Sequence, residues 1–97
     1  MNKTAPVIHV VDDDEAMRDS MTWLLEGEGY AVATYPSAPA FLAARHDGMR
    51  GCLVLDVRMP DMSGLELQER LDALGSTLPI VFITGHGDVP MAVAALH

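Results

Sequence analysis

The chain has 97 residues, 49% of them apolar, so it can enclose one core and is too short for two domains. Fourteen acidic residues against six basic ones give a net charge of −8, which argues against a nucleic-acid surface and suits a site that gathers a divalent cation. A single cysteine, Cys52, excludes an internal disulfide and a cysteine-built zinc cage. No apolar run reaches membrane-spanning length and no signal-peptide pattern opens the chain, so a cytoplasmic protein without membrane contact is expected.

In chain order, residues 1–5 read as a short frayed lead. Pro6 to Val11 (PVIHVV) is an apolar run broken only by His9, and it predicts a first strand in which His9 is a partly satisfied core residue. Asp12-Asp13-Asp14 follows. Three acids in succession repel one another. Capping explains Asp14, because Asp is a favoured N-cap and acids suit a first helical turn. For Asp12 and Asp13, capping competes with a ligand role. A helix over about Glu15 to Glu26 places Met17, Met21, Leu24 and Leu25 on one stripe and leaves Trp23 partly exposed. Gly27 and Gly29 end it. Tyr30 to Tyr35 is a more polar strand suited to an edge. Ser37 caps a short helix that turns Phe41 and Leu42 inward, and Arg45 to Arg50 is a polar connection.

Leu53-Val54-Leu55-Asp56 is the stretch around which the rest is arranged. It reads as a strand buried on both faces, with Cys52 as a buried, reduced thiol inside it. It ends in a carboxylate that is costly to bury alone. The carboxyl end of a strand is where open α/β sheets bind ligands. Pro60 and Gly64 shape the loop that follows. A helix over about Leu65 to Leu74 turns Leu67, Leu71 and Leu74 inward and pairs Glu66 with Arg70 outside; Gly75 stops it. Pro79 to Thr84 (PIVFIT) is a fourth strand. Gly85-His86-Gly87 is a turn in which His86 borders the pocket entrance, and Asp88 caps a further helix with Pro90 in its first turn. None of the four histidines, with His46 in a solvated loop and His97 at the chain end, reads as a metal ligand or relay histidine.

Alternation of strands and helices predicts an α/β fold, a mostly parallel sheet with helices on both faces. Its carboxyl edge then collects Asp12, Asp13, Asp56 and Thr84. Clustered carboxylates need a cation to stay ionised, and oxygen-only ligands suit Mg2+, with Mn2+ an alternative, rather than zinc. An aspartate beside such an ion can attack phosphorus to give an acyl phosphate, with the Thr84 hydroxyl available as a donor to an oxyanion.

The sequence resembles the receiver domains of two-component response regulators. VVDDDEAMR is similar to the acid pair that opens their first helix. LVLDVRMPDMSG is similar to their phosphoacceptor loop, and VFITGHGDVPMAV to their fourth strand and its threonine; the GHGDVPMAV run is especially like the FixJ-type receivers. The likeness runs from Val7 onward. It implies a flavodoxin-like doubly wound sheet of order 2-1-3-4, with residues 1–97 forming one receiver domain. Asp56 would be the phosphoacceptor and Thr84 the switch hydroxyl. Asp13, with Asp12 assisting, Asp56 and the backbone carbonyl of Arg58 would hold Mg2+. The phosphoryl donor would be a sensor histidine kinase, and the domain would be a phosphoacceptor rather than an enzyme. DNA would be reached only through an output domain absent from this sequence.

The family's fifth strand, with its lysine and aromatic switch residue, and its last helix are absent from the 97 residues; Lys3 is the one lysine. A receiver incomplete at its C-terminus would leave strand four as an apolar edge, so a homodimer through that strand or by exchange of elements is expected. A haloacid-dehalogenase-type phosphatase needs a second acid where Arg58 stands. A flavin carrier needs a phosphate-holding loop where three aspartates stand. The remaining alternative is a receiver fold that no longer accepts phosphate and serves protein contacts alone.

Overall fold

The computed structural model describes residues 6–83. Seven elements alternate along them: β1 (Val7–Val11), α1 (Glu15–Gly27), β2 (Val32–Tyr35), α2 (Ala38–Ala44), β3 (Gly51–Asp56), α3 (Gly64–Ala73) and β4 (Ile80–Ile83). Expected boundaries hold to within about two residues. Thr84, the Gly85–Gly87 turn and the Asp88 helix lie outside the described residues, as does Lys3.

The four strands form one parallel sheet in the order β2-β1-β3-β4, the expected α/β arrangement. In the register, Val11 stands beside Leu55 and Asp56 beside Ile83. All strands therefore end at one edge, and each helix begins there. Among the described residues no helix is long and apolar enough to cross a membrane.

Alternation along β1 divides the core into two layers. Ile8 and Val10 face α1 and pack with Met17, Met21, Leu25, Val54 and Ile83. Val11 faces the opposite side, among Phe41, Leu53, Leu55, Leu67 and Leu71 of the α2 and α3 layer. The predicted α1 stripe is buried at Met17, Met21 and Leu25, while Leu24 is half-buried and Trp23 stands 77% exposed. Two expectations are corrected. Leu74 is exposed, because α3 ends at Ala73 and Leu74 serves as its C-cap beyond the layer. Cys52 is half-buried rather than buried, near the start of β3 and packed against the α1 layer; burial raises its thiol pKa.

His9 is the one buried imidazole in β1, with its ring against Phe41 and Tyr35. Its Nδ1 shares a 3.0 Å hydrogen bond with the Tyr35 hydroxyl, while Nε2 has no partner among the described residues. Burial lowers its pKa, and the nearby Arg50 carbonyl opposes that shift. The expectation of a partly satisfied core histidine therefore holds.

Candidate functional site

Two chain segments supply the acids. Val11 is the last residue of β1, so Asp12 and Asp13 leave the sheet edge just before Asp14 starts α1. Asp14 accepts from the Ala16 N–H at 2.9 Å, as a cap should. Asp12 is tied differently. Its N–H donates to the Tyr35 carbonyl (3.2 Å), and its Oδ1 accepts from the Asp14 N–H (2.9 Å). Its carbonyl accepts from Nη1 of Arg18 (2.8 Å). These bonds hold Asp12, a residue only 2% exposed, at the root of a helix already capped by another residue. Capping therefore leaves Asp12 unexplained.

Asp56 ends β3, two places along the sheet from β2. Its Oδ1 accepts from the Arg58 N–H at 3.0 Å, closing a tight turn, and the Arg58 side chain is exposed. The Val57 N–H donates to the Ile83 carbonyl (3.0 Å), which ties the same turn to β4. Ser63 then caps α3 by accepting from the Glu66 N–H, and Gly64 begins it. A Cβ on Gly64 would stand 2.6 Å from the Asp56 carbonyl oxygen and 3.3 Å from Cε1 of Phe82. Only a glycine lets α3 start this close to the strand end.

Oxygen atoms of Asp12, Asp13 and Asp56 lie within 4.8 Å of one another, buried, exposed and half-buried in that order. Burial raises the Asp12 pKa most; the Asp14 N–H opposes this, while the charges of Asp56, Asp13 and Asp14 add to it. The cluster is thus short of positive charge. Oxygen donors from three carboxylates at this spacing fit a hard divalent cation and offer nothing to a thiophilic one. The structure brings three of the four expected strand-end side chains together; the fourth, Thr84, lies outside the described residues.

Two residues at this edge were not singled out by sequence reasoning. Arg18 reads as an ordinary exposed helix residue, and no spacing rule links it to a carbonyl six positions back. Ser63 carries a weak signal, a hydroxyl three residues before Glu66, which is the capping-box spacing.

The chain is similar to known proteins over nearly its whole length. The family profile described as response regulator receiver domain matches residues 8–97. The transcriptional regulatory protein FixJ of Azorhizobium caulinodans is 52% identical over 96 residues, covering 99% of this chain and 45% of that protein. The response regulator protein TmoT of Ectopseudomonas mendocina is 49% identical over 96 residues, 99% of this chain and 44% of its own length. Among solved structures, the response regulator StyR superposes with a TM-score of 0.80 at 52% identity, over 89% of this chain and 43% of that one. A structure titled FixJ-N gives 0.78 at 45% identity, over 99% of this chain and 77% of that one. The chain spans less than half the length of these curated relatives.

Proposed function

The chain belongs to the response regulator receiver domain family, and from that premise we propose that residues 1–97 act as a phosphoacceptor unit in two-component signalling, with Asp56 the residue that takes the phosphoryl group. The observation that carries this reading is the meeting of Asp12, Asp13 and Asp56 oxygens within 4.8 Å at the carboxyl edge of the sheet. Simple helix capping would need one acid there, and Asp14 already serves.

The chemistry follows from the Asp56 turn. Oδ1 accepts from the Arg58 N–H, which leaves Oδ2 the less engaged oxygen and the proposed one for attack on phosphorus. In the transfer, an Oδ2–P bond forms as the P–N bond of a phosphohistidine breaks, and the imidazole leaves with the electron pair of that bond. Mg2+ bound by Asp13, Asp12, Asp56 and the Arg58 carbonyl would supply the countercharge that lets phosphoryl oxygens approach a carboxylate. Asp12, pinned by three hydrogen bonds, holds its side of the cluster without rearranging. Thr84 is proposed as the hydroxyl that moves toward the acyl phosphate. A sensor histidine kinase is the proposed donor, in the cytoplasm. The proposed output is transcription, through a DNA-binding domain outside this sequence; the FixJ relatives are named transcriptional regulatory proteins.

Intact mass after incubation with acetyl phosphate tests the reading. We expect a phosphoryl adduct that requires Mg2+ and disappears in Asp56→Asn. A folded sample that forms no adduct would leave the protein-contact module as the reading of this chain. β4 pairs with β3 on one side, and among the described residues no strand pairs with its other side. Self-association through that edge is proposed on the same footing, and a strictly monomeric sample in sedimentation would remove it.

A further inference from the structure

Arg18 sits one turn into α1 and reaches back to the acid cluster without joining it. Its backbone N–H donates to the Asp14 carbonyl at 3.0 Å, and its Nη1 donates to the Asp12 carbonyl at 2.8 Å. The first is the ordinary intrahelical bond of α1, so it is the side-chain bond that ties Arg18 to the strand end. The side-chain bond is partly buried and charge-assisted, which places it among the stronger hydrogen bonds of the molecule.

We propose that Arg18 is a positioning residue for the cation site: it fixes the Asp12–Asp13 peptide, and so the direction in which both carboxylates leave the strand end. The inference rests on the reading of that cluster as a cation site. Two effects of the guanidinium oppose one another. Its positive charge, held at the Asp12 carbonyl, opposes the approach of a cation. Its hydrogen bond spares the site the entropy of ordering a loop each time a cation binds. The bond is aimed at a neutral carbonyl and the Asp12 Oδ1 accepts from the Asp14 N–H, so the guanidinium is not paired with that carboxylate oxygen, and ordering is proposed to outweigh charge.

The sign of the change in cation affinity separates positioning from a merely electrostatic or structural role. Binding of Mn2+ alone to the full 97-residue chain is read by electron paramagnetic resonance, with no phosphoryl donor present, in wild type, Arg18→Met and Arg18→Lys. Positioning predicts weaker binding in Arg18→Met by about tenfold, the low end of the effect of losing an outer partner at a metal site, even though a positive charge has been removed. Arg18→Lys, which keeps the charge and loses the planar fork, is predicted to weaken it as well. Unchanged or tighter binding in folded Arg18→Met overturns the proposal; if that variant fails to fold, unchanged binding in Arg18→Lys does so. Asp13→Asn and Asp56→Asn guard the premise. If neither alters wild-type Mn2+ binding, the cation-site reading fails; if both weaken it while the Arg18 variants do not, only the positioning role fails.

Discussion

Charged residues gather at both edges of the sheet, for different reasons. At the carboxyl edge, α1, α2 and α3 begin, capped by Asp14, Ser37 and Ser63. At the amino edge, α2 and α3 end near Arg45, His46 and Arg50, which line a cleft of about 460 Å3 with residues 74–78. Helix C-termini carry partial negative charge, so cations belong beside them and need no ligand to explain them. Arg45 is paired at 3.1 Å with Asp47, which is itself 93% exposed. Helix N-termini favour acids too, but each helix already has its cap. Asp12, Asp13 and Asp56 remain after that accounting, and one of them is buried. Charge that exceeds what the local structure requires points to a ligand, which is why the proposed site stands at the carboxyl edge; charge that merely matches it does not.

Glycine substitutions test that contrast most severely, because each edge depends on one glycine. Gly51 opens β3 at the amino edge with φ of +116°, and a Cβ there would meet the backbone N and C of Val7 at 2.6 and 2.7 Å, with its carbonyl oxygen closer still. Gly51→Ala is expected to cost about 3 kcal/mol or more in denaturant unfolding, since a rigid backbone must move to admit the methyl group. Gly64→Ala at the carboxyl edge is expected to cost less, about 1–3 kcal/mol, and also to weaken Mn2+ binding by displacing the Asp56 turn. Equal Mn2+ affinity in folded Gly64→Ala would separate that glycine from the site.

Asp12→Asn is expected to stabilise the protein by about 0.5–2 kcal/mol in the absence of divalent cations, as removal of functional strain commonly does. The amide oxygen can still accept from the Asp14 N–H while a buried charge among like charges is removed. Saturating Mg2+ should shrink or reverse the gap by stabilising wild type more than the variant. A variant less stable than wild type without cations would show that the acids are held together by something other than a need for one.

The smallest effect is in the pH profile, where two buried groups have opposite signs. Folded His9 holds its proton less tightly than the ordinary value of 6.5, so the unfolded chain binds more protons below that pH. Its contribution is full above 6.5 and is lost as pH falls. Folded Asp12 holds its proton more tightly than the ordinary 3.8, so its contribution favours folding in acid and fades as pH rises through the window above 3.8. His9→Phe should therefore flatten the loss of stability between about pH 6.5 and 5, read as unfolding midpoints across that range. An unchanged slope would place the acid sensitivity elsewhere.

The sequence determined by itself the order of elements, the parallel sheet, the caps at Asp14 and Ser37 and the gathering of Asp12, Asp13 and Asp56, because hydrophobic period and turn chemistry are local and a parallel sheet sends every strand end to one edge. Leu74 showed the limit of that logic: it keeps the helical period of Leu67 and Leu71, yet the helix ends one residue short of burying it. What only the tertiary structure decided are contacts between segments whose approach no spacing encodes. Gly51 must be glycine because Val7 of the neighbouring strand fills the space of its Cβ. His9 finds the Tyr35 hydroxyl 26 positions away, across the β1–β2 pairing. Arg18 finds the Asp12 carbonyl six positions back, across the turn that joins β1 to α1. Periodicity fixes which face a residue occupies, and packing fixes what it meets there.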